Sequence, residues 1–137
     1  MEQKTAITNE LSEFKGNSKQ VTTIKGDTIE EKKKLYNAIQ QCDVRLNDIV
    51  GQKIKVKDFL IREYEKKDLD ENGNHRIGHT TILFDEQGKT YVTASNYFFN
   101  AFVQVLSTVG NLETPIEIKI VKKPTKSGTE SLGLQWL

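Results

Sequence analysis

The sequence predicts a mainly β domain, a five-stranded β-barrel with one helix between its third and fourth strands and a further helix ahead of the first. Three observations carry this expectation. Apolar and polar residues alternate in several short runs after Gly51, the period of half-buried strands. Asp85, Glu86, Gln87 and Gly88 carry the residue types of a hairpin turn. Two other segments space their apolar residues as helices do, and each follows a capping residue.

Residues 1–26 are polar, and Leu11, Phe14, Val21 and Ile24 are too scattered to mark an element. The expectation is a flexible arm, either a disordered leader or a segment that docks on a neighbouring copy through Phe14 or Ile24. The domain proper then covers residues 27–137. Asp27 or Thr28 opens its first helix, because Thr28 followed by Glu31 forms a capping box. Ile29, Leu35, Ala38, Ile39 and Cys42 lie along one side of that helix, which ends near Asp43. Lys32, Lys33 and Lys34 sit mid-helix, as a solvated face or as phosphate contacts.

The first strand alternates Ile54 and Val56 with Lys53, Lys55 and Lys57, and Phe59, Leu60 and Ile61 break the period at a bulge near Asp58. A second strand covers Arg76 to Phe84, and after the turn a third runs from Thr90 to Ala94. Ser95 or Asn96 caps the inserted helix, whose Phe98, Phe99, Phe102, Val103, Val105, Leu106 and Val109 recur at helical spacing until Gly110. Ile116, Ile118 and Ile120, then Leu132, Leu134 and Trp136, mark two final strands around a basic loop. Trp136 shares the phase of the leucines and is expected in the core.

This order of elements is that of the OB-fold, the five-stranded oligonucleotide-binding barrel. At 137 residues there is room for one core and little more. The 20 basic and 19 acidic residues nearly cancel, so attraction to a polyanion must come from local clusters. One cysteine allows no internal disulfide, and no apolar run matches a signal peptide or membrane span. A cytoplasmic setting is expected.

Gly88, Lys89, Thr90 and Tyr91 lead into Ser95 and an apolar helix; Leu112, Glu113 and Thr114 precede the strand 116–121; Lys126, Ser127 and Gly128 precede the terminal Leu132 to Leu137. In this pattern the last third of the chain resembles the single-stranded-DNA-binding proteins of small protein-primed phages of Gram-positive bacteria. The stretch from Cys42 to Leu60, with Leu46, Asn47, Asp48, Val50, Gly51 and the alternating lysines, also resembles related proteins of conjugative plasmids and Firmicute phages. The resemblance implies an OB-fold that coats exposed single strands during replication or transfer, with no reaction of its own. The closing Gln135, Trp136 and Leu137 differ from the acidic tail by which cellular bacterial single-strand binders recruit partners, so recruitment of that kind is not expected. A barrel serving as a protein-interaction or oligomerisation module is the alternative reading.

Sequence-tolerant binding needs cations along the phosphates and flat side chains under the bases. Lys122, Lys123 and Lys126 are placed in the loop joining the last two strands, and Lys53, Lys55 and Lys57 on one face of the first. Tyr64, with Arg62, Lys66 and Lys67, is placed at the start of the loop after that strand. If Asp85 pairs with Thr90, Phe84 and Tyr91 form an outward aromatic pair; a three-residue turn sends one of them inward.

Other signals are set aside. Asp68, Asp70, Asn72 and Gly73 mimic half a calcium loop, but its last position is His79 and Arg76 occupies a ligand position. His75 and His79 have a metal spacing only on a helix, and this segment reads as loop and strand. Cys42 has no evident histidine partner, and there is no phosphate-binding glycine loop or paired-carboxylate motif. No enzyme activity, metal or cofactor is expected.

Overall fold

The computed structural model describes residues 20–110 and 114–137. Its elements in chain order are β1 (Gln20–Thr22), α1 (Ile29–Gln40), β2 (Val44–Arg45), a 3-10 turn (Leu46–Ile49), β3 (Lys53–Leu69), β4 (His75–Asp85), β5 (Thr90–Thr93), α2 (Asn96–Val109), β6 (Ile116–Pro124) and β7 (Glu130–Trp136). Among the described residues the strands form one curled, half-barrel sheet in the order β2-β5-β4-β3-β6-β7, with β1 also paired to β3. All five expected strands are present, and β1 and β2 join them.

The first correction concerns residues 20–26, expected in the arm. Gln20, Val21 and Thr22 pair antiparallel with Arg62, Ile61 and Leu60. β4 takes one edge of β3 and β6 takes the other only as far as Val56. β1 covers the open length beyond β6, which would otherwise expose an unpaired backbone edge. Val21 and Ile24 are buried here, so Ile24 does not serve a neighbouring copy. Leu11 and Phe14 lie outside the described residues.

Both helices open at the caps the sequence predicts, but α1 ends at Gln40, short of the expected Asp43, because Gln41 turns to an extended backbone. Cys42 thus lies beyond the helix, its thiol donating to the Ala38 carbonyl at 3.1 Å. Thr28 Oγ1 accepts from the Glu31 amide while the Glu31 carboxylate accepts from the Thr28 amide. Ser95 Oγ accepts from the Phe98 amide, and Gly110 ends α2 at φ 99°. The helices cover opposite faces of the sheet. α2 packs Phe98, Phe102, Val105 and Leu106 against Ile54, Val56, Phe59, Ile61, Leu83, Ile118 and Ile120. Phe59 meets Phe102 edge to face with ring centroids 5.5 Å apart. α1 packs Leu35, Ala38 and Ile39 over Leu60, Ile82 and Phe84 on the other face.

The β4–β5 turn decides the register there. Asp85 pairs its backbone with Lys89, and its carboxylate accepts from the Gln87 and Lys89 amides, each at 2.9 Å. Three residues, with Gly88 at φ 84°, therefore close the turn. Leu83 then faces Tyr91 and Phe84 faces Thr90, one step from the register a four-residue turn gives. Tyr91 points into the α2 core and Phe84 into the α1 core.

The Tyr91 hydroxyl donates to Asp85 Oδ2 at 2.8 Å. Burial, then that bond and the charges of Asp85 and Asp43, push the phenol up to about 12. The folded state thus holds this proton to higher pH than the unfolded chain, so stability is complete below about pH 10 and falls as pH rises toward about 12. Denaturant midpoints compared between wild type and Tyr91→Phe should show a smaller alkaline loss in the variant. Parallel curves would remove the assignment.

Inside the sheet, the ring of His79 stacks on Phe99 of α2 at 3.8 Å, with Nε2 3.3 Å from the buried Glu63 carboxylate. Burial holds the His79 pKa below its ordinary value, against the opposing pull of Glu63. His75 instead meets the Lys66 carbonyl at 2.8 Å. The calcium-like run is a turn: the Asp70 carboxylate accepts from the Asn72 and Asn74 amides, and Gly73 takes φ 80°.

Candidate nucleic-acid interface

β3 positions the first set of cations. Lys53 lies directly opposite Lys119 of β6, and Lys55 opposite Glu117. Alternation sends Ile54, Val56, Ile118 and Ile120 into the core, so these lysines share the outward face. Two like charges opposite each other repel, and an anion between them converts that repulsion into attraction. Lys55 is drawn aside by Glu86, its Nζ 3.7 Å from Oε1. Lys57 is exposed at the bulge, where the pairing with β4 skips from Val56 to Asp58.

Lys122 and Lys123, expected in a loop, lie within β6 and pair with Leu132 and Ser131. The strands run on because the turn is shorter than expected: Thr125 N–H meets the Thr129 carbonyl, and Gly128 takes φ 85°. Only Lys126 of the three stands in that turn. Lys122 Nζ is 3.4 Å from Asn47 Oδ1 of the 3-10 turn. Lys123 shares the outward parity of Lys119, four residues and about 13 Å further along β6. Its stem lies across Gly133, where an added Cβ would stand 3.2 Å from the lysine Cδ.

A second basic set stands at the far end of β3. Tyr64 is a strand residue paired with Gly78, not the start of a loop, since β3 continues to Leu69. The outer end of its ring lies over Gly78, where any side chain would occupy the same space. Arg62 is exposed two residues away on the same face, and Lys66 and Lys67 follow where the register with β4 breaks after Glu65.

The expected aromatic pair is corrected for two separate reasons. Tyr91 is turned inward by the three-residue turn, whereas Phe84 keeps the outward phase but is fully covered by α1, with Lys34 Nζ 5.4 Å from its ring. Neither can stack on a base. Trp136, expected in the core, is 44% exposed. It keeps the phase of Leu132 and Leu134 but stands beyond the end of the packed core, beside α2.

These features place cations in a line along adjacent strands and leave aromatic faces open at both ends of the sheet. The family model described as phage single-stranded DNA-binding protein matches residues 15–136. The chain belongs to that family. The match to the phage single-stranded DNA-binding family takes in β1 and every element after it. No curated protein and no solved structure matches the chain.

Sequence reasoning overlooked Lys119 and excluded Trp136. Lys119 was legible as an outward position between Ile118 and Ile120, but its nearness to Lys53 depends on β6 pairing with β3. Trp136 carried a misleading signal, because alternation reports which face a residue takes and not how far the core extends.

Proposed function

We propose that the protein binds single-stranded DNA without regard to base sequence and protects it during phage or plasmid replication or transfer, in the bacterial cytoplasm and with no reaction of its own. The observation that carries this reading is the outward lysine line, Lys53 opposite Lys119 and continuing to Lys123, in a chain of the phage single-stranded DNA-binding family. Strand-borne lysines at fixed spacing meet phosphates irrespective of the bases between them. We further assign the sheet to the OB class. Its support is the succession β3, β4, β5, α2, β6, β7, which puts a helix between the third and fourth strands of the five.

Fluorescent oligo-dT titrated across a salt series tests the reading. Affinity is expected to fall linearly on logarithmic axes, by about 0.7 per phosphate contacted, and an unlabelled duplex is expected to compete poorly. No binding at low salt, or equal competition by the duplex, rejects the proposal.

A further inference from the structure

Between α2 and β7 lies a cleft lined by Ala101, Gln104, Val105 and Thr108 on the helix and by Leu134, Trp136 and Lys123 on the sheet side. Positions 101, 104, 105 and 108 form one stripe of α2, and Val105 and Leu134 are buried while Gln104 and Thr108 are exposed. The cleft therefore has an apolar floor and polar edges. A large indole ring, 44% exposed, stands at one end, and a cation lies along the other side.

We infer that this cleft is a base-binding subsite of the single-stranded DNA path, with one base stacked on Trp136 and the phosphate of another nucleotide, further along the same strand, held by Lys123. The inference rests on the single-stranded DNA-binding reading above and extends it to residues outside the lysine line. Three features select a nucleic-acid strand as the occupant. An apolar floor with an open indole suits a flat aromatic ring, and the indole N–H adds a polar handle. Gln104 can donate and accept, so it can meet the edge of any base. Lys123 has the outward parity of Lys119, on the face opposite Trp136, but its stem crosses Gly133 of the edge strand β7 and it also lines this cleft, so a backbone following β6 is led around that edge to the cleft. Lys123 and Trp136 stand opposite Ser131 and Ile118, about 17 Å apart along the strands. The base and the phosphate they hold thus belong to different nucleotides.

Trp136 is the only tryptophan, so its emission reports on the cleft alone. With oligo-dT binding followed separately by anisotropy of a label on the DNA, the emission is expected to be quenched and shielded from acrylamide in step with binding. Trp136→Ala should weaken binding by about 5- to 150-fold, the effect of one stacked base, and Trp136→Phe should recover most of it. Thermal unfolding of both variants should stay near wild type. Binding seen by anisotropy with unchanged emission, or Trp136→Ala binding as wild type does, overturns the subsite and leaves the lysine face standing. Absence of any binding overturns both.

Discussion

Phe84→Ala is expected to lower the free energy of unfolding by about 3 to 5 kcal/mol, the usual cost of emptying a buried phenylalanine site. Phe84 is fully buried between β4 and α1, in contact with the cluster of Ile24, Leu60, Ile82, Leu35 and Ile39. That cluster is small, so few side chains can move in to fill the space. In a domain of this size the loss corresponds to a fall in Tm on the order of 10 to 20 °C. Phe84→Leu, which keeps most of the volume, should lose much less. A base-stacking role predicts the reverse, a loss of DNA affinity with Tm unchanged. Calorimetry beside oligo-dT titration separates the two, and an unaltered Tm in Phe84→Ala would contradict the packing described.

Reversing both lysines of the opposed pair, Lys53→Glu with Lys119→Glu, should weaken oligo-dT binding at low salt on the order of a hundredfold. Each attraction of about 1 kcal/mol in water becomes a repulsion of similar size, and counterions screen part of the change. The salt dependence should also become shallower by about 1.4, from two phosphates at about 0.7 each. Folding provides an internal control. Lys53 and Lys119 already repel each other across the β3–β6 pair, so two glutamates repel about as much and Tm should hold. Lys53→Gln with Lys119→Gln removes that repulsion and should raise Tm slightly while still weakening binding. Wild-type affinity in the reversed variant would move the phosphate path off this face.

The local elements were legible because short-range chemistry encodes them. Thr28 with Glu31 and Ser95 with Phe98 form the caps that their spacing announces. The bulge falls at Lys57 and Asp58, where the alternation of β3 changes phase. The candidate site was less legible, because a site depends on which elements become neighbours. The polar run from Glu65 to Asp68 carries no strand pattern and so places Tyr64 at a loop, yet pairing with β4 continues to Glu65 and resumes at Leu69. Gln20 to Thr22 carry no periodic signal, being only three residues, and it is the free edge of β3 that makes them a strand.

By itself, then, the sequence determined the two helices with their N-terminal caps, the five principal strands, the outward face of the β3 lysines and a likeness to phage single-stranded DNA-binding proteins. These follow from alternation, capping and turn chemistry within a few residues of chain. Tertiary structure decided what is covered and what is adjacent. It buried Phe84 under α1, turned Tyr91 inward through the Asp85–Lys89 closure, set Lys119 beside Lys53, and left Trp136 open at the margin of the core. The physical reason is that a side chain's phase along a strand names its face, while only packing between distant segments determines whether that face meets protein or solvent.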